Sequence, residues 1–195
     1  MSVVRPPTRN RRAEILQAAA VLFAERGFHK VSIEDIGAAV GVSGPALYRH
    51  FSGKEALLAE MLLDISERLR AQGERLAANA NPEAALDALL DGHIDFALRH
   101  PELIRVHERE LDNVPEPSRR AIRRLQRLYV EEWVTVLAEL YPGCPSARLR
   151  AATHAVFGLL NSTPRTLGEL APEAMKELLH GMAKAAFASL GDAKP

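Results

Sequence analysis

Four polar side chains stand close together between residues 48 and 54 of this chain. They are Tyr48, Arg49, His50 and Lys54, and their phenol, guanidinium, imidazole and ammonium groups can all donate hydrogen bonds to phosphate oxygens. Residues 1–54 also hold eight Lys and Arg against four Asp and Glu, in a chain of 195 residues whose formal net charge is zero. Because a local patch matters for phosphate binding where the net charge does not, this stretch is a candidate for nucleic-acid binding.

A second group of candidates is aromatic and polar and occurs later in the chain. Tyr129 and Trp133 lie on a stripe of large apolar residues at helical spacing, and His93 lies on the apolar stripe of another segment. Such stripes indicate either an ordinary bundle core or the walls of a cavity between helices, and both interpretations remain open. The candidate ligand-binding residues are His93, Phe96, Tyr129, Trp133, Phe157 and Asn161.

Catalysis, metal binding and cofactor binding are not predicted. Cys144 is the single cysteine, which excludes an internal disulfide framework and a cysteine-based zinc cluster. The best acid–base candidates, His107 with Glu108 and Glu110, occupy neighbouring helical positions and do not converge. No glycine-rich phosphate loop and no H-E-x-x-H motif occurs. An enzyme and a purely structural helical adaptor are therefore the weaker alternatives to a nucleic-acid-binding protein.

Helical periodicity must position all of these residues. Apolar residues recur at intervals of three and four, alternating strand-like runs are nearly absent, and Gly or Pro interrupts the pattern repeatedly. The prediction is an all-α fold of about nine helices, with a three-helix domain at residues 1–53 (the head) and a larger helical domain at residues 54–195 (the body). The predicted helices cover residues 9–26, 33–40, 44–50, 54–78, 82–99, 101–111, 117–140, 146–161 and 172–190.

The two short helices of the head are predicted to form a helix-turn-helix. Ser32 and Asp35 have the spacing of a capping box at the start of the first of them. Gly41 begins the turn, Ser43 stands where it can cap the next helix, and Pro45 falls in that helix's first turn, where its missing N–H costs nothing. This geometry lets the second helix project into the major groove of DNA.

The order of residues in the head is more specific than its helix pattern. The pairs Gly27-Phe28 and Leu47-Tyr48 and the run VSIEDIGAAVGVSGPALYRHFSGKEALL occur in the order, and without gaps, that is typical of one family. Over about residues 11–58 the chain resembles the tetracycline-repressor (TetR) family of bacterial transcription regulators. Beyond residue 63 only the length and the helical pattern are similar.

The resemblance implies DNA contacts by residues of the head. Most of the matching polar positions usually touch the DNA backbone in the family, and those at residues 44–46 face base edges. The side chains of residues 44–46 in this chain cannot form hydrogen bonds, so we expect them to recognise few base edges directly. Arg49, and Arg11 or Arg12 reaching from an amino-terminal arm, are then candidates for base or minor-groove contacts. The predicted DNA-binding residues are Arg11, Arg12, Ser32, Ser43, Gly44, Pro45, Ala46, Tyr48, Arg49, His50 and Lys54.

The resemblance also implies a homodimer formed by the last two helices. A two-fold dimer agrees with the physics of recognition, because one short helix reads too few base pairs for useful specificity. We therefore expect a homodimer on double-stranded DNA with a roughly palindromic operator. The residues expected at the interface are Ala151, Ala152, Ala155, Val156, Leu159, Leu178, Leu179, Met182 and Ala186.

The predicted function is a transcription regulator, usually a repressor, which a small and largely apolar effector releases from its operator or shifts on it. Five arginines within residues 117–127 indicate either a solvated face or an anion site for a ligand such as an acyl-CoA, and the choice stays open. The chain shows neither a signal peptide nor an apolar run of membrane-spanning length, so the cytoplasm and no membrane partner are expected.

Overall fold

The computed structural model describes residues 8–78, 81–166 and 168–191, with side chains from residue 11 onwards. Within these residues the chain forms nine α-helices and three short 3-10 turns, without strands, which confirms the all-α prediction. The 3-10 turns cover Phe28–Lys30, Leu111–Asn113 and Thr163–Arg165. The helices are α1 (Thr8–Arg26), α2 (Ile33–Ala39), α3 (Gly44–Tyr48), α4 (Lys54–Ala77), α5 (Pro82–Arg99), α6 (Pro101–Glu110), α7 (Glu116–Leu140), α8 (Ser146–Leu160) and α9 (Pro172–Ala188).

Glycines and one capping box set the turns of the head. Gly27 ends α1 with a φ of 84°, and Gly41 follows α2 with a φ of 68°, a region that favours glycine. The predicted capping box at the start of α2 forms, because the Ser32 hydroxyl accepts the Asp35 N–H while the Asp35 carboxylate accepts the Ser32 N–H. At Gly37 a Cβ atom would lie 2.6 Å from the Val42 carbonyl oxygen, so only glycine permits the close turn between α2 and α3.

The second helix of the predicted helix-turn-helix, α3, is shorter than predicted. It ends at Tyr48 rather than His50, since the N–H groups of His50 and Phe51 both turn back to the Leu47 carbonyl. Ser43 occupies the N-cap position as expected, but its side chain makes no capping hydrogen bond. The fully buried Leu47 packs α3 against the other helices of the head.

The apolar core of the head continues into the body. Side chains of α1 and α2 share one cluster with the first turns of α4, with α6 and with the start of α7. The described apolar core is therefore continuous across residue 53, and the domain boundary proposed there stays a prediction. A second cluster fills the body between α5, α7, α8 and α9 around the fully buried Trp133.

Charge complementarity fixes α9 on α5. Three Asp residues four apart on α5 face three basic residues four apart on α9, with Lys176 3.2 Å from Asp95 and Lys184 2.7 Å from Asp87. Paired carboxylates also hold the pKa of Lys176 above its ordinary value, chiefly through the hydrogen bond that Lys176 donates to the Asp95 carboxylate. No helix in the part of the chain that is described is both long and apolar enough to cross a membrane.

Candidate DNA-binding face and internal cavity

The exposed side of α3 carries the residues that the sequence assigns to DNA contact. The Tyr48 side chain is 54% exposed, Arg49 and Pro45 are exposed, and His50 is partly exposed. Because Leu47 points into the core, Tyr48 and its neighbours are directed to solvent, where a duplex can approach. This geometry is typical of a recognition helix, and the DNA contacts of the individual residues stay predictions.

Lys54 is engaged by the protein itself. Its ammonium donates hydrogen bonds to the carbonyls of Phe28 at 3.0 Å and Val31 at 3.3 Å, and lies 4.4 Å from the centre of the Phe28 ring. Two of its three N–H groups therefore stabilise the turn between α1 and α2, leaving one for the predicted phosphate contact. The backbone N–H groups at the start of α4 have no side-chain cap and face the same region.

The assignment of Arg12 to an amino-terminal arm is wrong, because Arg12 lies within α1 and is held there. Its guanidinium binds both carboxylate oxygens of Glu60, donates to the His50 carbonyl at 2.8 Å and stacks 4.3 Å above the Phe51 ring. Arg12 thus secures the end of α3 to α4. Arg11 also lies on α1 and makes an exposed ion pair with Glu14 at 2.8 Å, and such pairs are easily exchanged for a phosphate.

Ser32 and Ser43, the two serines predicted to contact DNA, differ in how available their hydroxyls are as hydrogen-bond donors. The Ser32 hydroxyl donates to Asp35 at 2.6 Å while it caps α2, and these hydrogen bonds lower the pKa of Asp35. Ser43 is exposed and makes no capping bond, so its hydroxyl is the freer donor. Gly44 and Ala46 are partly buried, and the expectation that side chains of α3 make few hydrogen bonds to bases stays a prediction.

A cavity of about 270 Å³ lies in the body between α4, α5, α6, α7 and α8. Five of the six residues proposed as ligand-binding line it together: His93, Phe96, Tyr129, Phe157 and Asn161. The sixth, Trp133, does not reach the surface of the cavity. It stands behind that wall, edge-on to the rings of His93 and Tyr129, with centroids 6.1 Å away in each case.

Sequence reasoning missed the contributions of α4 and α6 to this cavity. From α4 come Ile65, Ser66 and Leu69, and from α6 come Leu103, Ile104, His107 and Glu108. The one signal in the sequence was the helical spacing of apolar residues in these two segments. This spacing does not distinguish a cavity wall from a closed core, because both are built from the same apolar helix faces.

A chain of hydrogen bonds crosses one end of the cavity. His93 Nδ1 lies 3.1 Å from the Tyr129 hydroxyl, and His93 Nε2 lies 3.0 Å from Asn161 Oδ1. With Nε2–H donating to the Asn161 oxygen, Nδ1 accepts the Tyr129 O–H, so the histidine is neutral. Burial lowers the pKa of His93 to about 4, against which the Asn161 hydrogen bond acts in part, and burial raises the pKa of Tyr129. All three groups are therefore uncharged near neutral pH.

Besides the histidines His93, His107 and His154, Glu108 is the one Asp, Glu, Lys or Arg among the described residues that line the cavity. It lies near Arg165, whose guanidinium is 3.6 Å from the carboxylate. His107 lies within hydrogen-bonding reach of Gln126, and burial lowers the pKa of His107 as well. No Lys or Arg lines the cavity in the described part of the chain, so apart from Glu108 and the histidines its walls are apolar or hold uncharged polar groups.

The arginines of α7 mostly face acidic neighbours. Arg119 binds Glu116, Arg120 lies 3.7 Å from the same carboxylate, and Arg123 lies 3.5 Å from Asp112. These guanidinium groups lower the pKa of Glu116, with Arg119 the largest cause. This arrangement favours the solvated face over the anion site.

The outer face of α8 and α9 is apolar and exposed. Leu178 and Met182 are each 47% exposed, and Ala151, Ala155 and Ala186 are exposed beside them. Ala152 and Leu159 are partly exposed. The expectation was wrong for two residues: Val156 is 2% exposed and Leu179 is 4% exposed, so both already pack inside their own chain. They turn inward because each helix has an opposite side that must close the body.

Comparison with known proteins gives two family matches. The model for "Bacterial regulatory proteins, tetR family" matches residues 15–61, and the model for "Tetracyclin repressor-like, C-terminal domain" matches residues 79–186. Among curated relatives, the HTH-type transcriptional repressor KstR2 of Mycobacterium tuberculosis is 28% identical over 139 residues, which is 70% of each chain. The HTH-type transcriptional activator FasR of Mycolicibacterium smegmatis is 32% identical over 115 residues, 58% of this chain and 52% of FasR.

Solved structures agree with these matches. A TetR-family transcriptional regulator from Bordetella parapertussis superposes with a TM-score of 0.79 at 26% identity, covering 89% of this chain and 94% of that one. The proteins of this family are non-enzymatic DNA-binding regulators that act as dimers. The head with its exposed recognition helix and the helical body with its cavity thus belong to a member of the TetR family of DNA-binding transcriptional regulators.

Proposed function

We propose that this chain is a homodimeric repressor of a roughly palindromic operator, and that a small, largely apolar ligand in the cavity releases it from DNA or shifts it on DNA. The observation that carries this proposal is the position of α4 and α6. Each of these helices lines the cavity with some residues and holds the head with others. The name of the relative KstR2 supports repression, while that of FasR keeps activation as the alternative.

The helix α6 joins the cavity to the end of α1. Ile104 and His107 line the cavity, while Glu110 at the end of the helix is buried and accepts the Phe28 N–H at 3.2 Å. Asn113 donates a second hydrogen bond to the Glu110 carboxylate at 2.8 Å. A displacement of α6 by a ligand would therefore act directly on the turn that follows α1.

The helix α4 joins the cavity to the recognition helix. Ile65 and Leu69 line the cavity, and Glu60, upstream on the same helix, binds Arg12, which in turn holds the His50 carbonyl. Half-sites in successive major grooves are roughly 34–36 Å apart, so a small change in the spacing of two heads penalises binding. The shift can be no larger than the difference in ligand affinity between the two states.

The exposed face of α8 and α9 supports the proposed dimer. Its alanines let a second copy approach closely, and Leu178 and Met182 supply apolar area at the centre. Val156 and Leu179 are excluded from this proposal by their burial.

An acyl-CoA is a second candidate for the ligand. The apolar cavity suits an acyl chain, but the arginines that would bind phosphates on α7 mostly face carboxylates. Arg124 and Arg127 are exposed on the same helix and are the remaining cations for such a group.

Selection of bound sequences from a random duplex library tests the proposal. We expect a two-fold-symmetric motif with half-sites about one helical turn apart. On that operator Tyr48→Ala should weaken binding at least tenfold, whereas Leu170→Ala, an exposed residue of the body, should bind like the parent protein. Failure to enrich any motif, or an enriched motif without symmetry, would contradict the proposal.

A further inference from the structure

We infer that the cavity selects ligands with an uncharged oxygen-bearing head group, such as an ester, thioester, ketone or alcohol, and that Asn161 donates the hydrogen bond that recognises this oxygen. This inference rests on the proposed ligand-binding function and adds the chemical class. It concerns the end of the cavity crossed by His93, Tyr129 and Asn161.

The donors and acceptors of the three residues leave one group unused. The Tyr129 O–H is directed to His93 Nδ1, and His93 Nε2–H is directed to Asn161 Oδ1. The amide nitrogen of Asn161 then has its N–H groups to offer, and Asn161 lines the cavity while being only partly buried. An oxygen that accepts a hydrogen bond is the natural partner of this nitrogen.

Charged head groups are not stabilised at the end of the cavity where Asn161 lies. A carboxylate would lose its hydration without meeting any Lys or Arg among the lining residues, and Glu108 would repel it. An ammonium group would meet the positive end of the Asn161 amide at this end of the cavity, and Glu108, the one carboxylate of the described lining, is already opposed by the Arg165 guanidinium at 3.6 Å. Neutral oxygens avoid both costs.

The apolar walls set the size of the rest of the ligand. Leu69, Leu103, Ile104 and Val130 surround the space together with the rings of Phe96 and Phe157. At about 30 Å³ for a water-sized group, a volume of about 270 Å³ holds roughly nine non-hydrogen atoms. Eight-carbon chains with different head groups are therefore suitable probes.

The test compares methyl octanoate, 1-octanol, octanoate, octylamine and octane on the full-length protein. Trp133 is the single tryptophan of the chain, and its ring centroid lies 5.1 Å from that of Phe157, so its fluorescence reports filling of the cavity. We expect the ester and the alcohol to bind at least tenfold more tightly than octanoate and octylamine, and more tightly than octane. Calorimetry gives an independent dissociation constant for each probe.

A charge-altering variant tests the role of Asn161. Asn161→Asp keeps an oxygen for His93 Nε2–H but replaces the donor nitrogen with an anionic oxygen, so the ester should lose at least tenfold in affinity while octylamine gains. Ser162→Ala, at the neighbouring position outside the cavity lining, is the matched control and should bind like the parent protein. Asn161→Leu, which removes the donor without adding charge, provides the second variant if the first does not fold.

The outcomes separate this inference from the proposal on which it rests. Equal or tighter binding of octanoate or octylamine, equal binding of octane, or an unchanged preference in both Asn161 variants would overturn the inference and leave the cavity as a ligand site. Absence of binding by all five probes would overturn the ligand part of the proposed function as well, while the selection of operator DNA would still test DNA recognition separately.

Discussion

The titration of His93 should make the stability of the protein depend on pH between about 4 and 6.5. Burial lowers the pKa of this side chain from 6.5 to about 4, so the unfolded chain binds a proton in this interval that the folded chain does not. Stability from this group is fully present above pH 6.5 and is lost as the pH falls towards 4. At pH 5 the linkage relation gives a loss of about 2 kcal/mol relative to pH 7.5.

Urea denaturation at pH 7.5 and pH 5, at a fixed protein concentration, measures this loss. The variant His93→Gln keeps a polar side chain but removes the titration, so its free energy of unfolding should fall by about 2 kcal/mol less than that of the parent protein between the two pH values. Burial lowers the pKa of His107 in the same direction, but His107 is present in both proteins and cancels in the comparison.

The matched control is Ile94→Val, a buried change on the same helix without a titrating group. This variant should lower the free energy of unfolding by about 1 kcal/mol at both pH values. The change in its free energy of unfolding between pH 7.5 and pH 5 should equal that of the parent protein. If His93→Gln lost as much stability on acidification as the parent protein does, the assignment of His93 as a buried neutral histidine would be refuted.

Two further predictions concern the cavity wall and the dimer. A Cβ atom at position 73 would lie 2.6 Å from Tyr129 Cε2, so Gly73→Ala should displace the tyrosine, lower the free energy of unfolding by about 1–3 kcal/mol and shift the Trp133 emission. Urea denaturation and fluorescence check this, and an unchanged midpoint would contradict the packing. Leu178→Glu with Met182→Glu should convert the dimer into a folded monomer with weakened operator binding, as measured by light scattering and fluorescence anisotropy; a dimer that survived both charges would place the interface elsewhere.

Local chemistry explains which parts of the fold were predictable. The Ser32–Asp35 capping box and the start of α5 at Pro82 depend on residues a few positions apart, and both form as the pattern predicts. The periodic stripes also placed His93, Phe96 and Tyr129 on apolar helix faces, and all three line the cavity. In each case the information lies within one helix or at its end.

Contacts between distant residues account for what could not be predicted. Arg11 or Arg12 was expected to reach DNA from an amino-terminal arm because residues 44–46 offer no side-chain hydrogen bonds, yet Arg12 lies within α1, where Glu60 and the His50 carbonyl hold it. Val156 and Leu179 were assigned to the dimer because a broad apolar stripe does not show which side faces its own chain. Only the packing of α8 and α9 on the body decides that.

Glu110 illustrates the same difficulty and bears on the proposed mechanism. In the sequence it was an unconvincing acid beside His107, whereas the structure buries it and joins it to a backbone N–H 82 positions away. A hydrogen bond to a charged group contributes about 1.5–3 kcal/mol, so breaking this one bond requires a ligand that favours the broken state by a factor of roughly 10–100. Differential affinity of that size lies within the range measured for allosteric coupling, so the Glu110 hydrogen bond is compatible in energy with the proposed control of the head through α6.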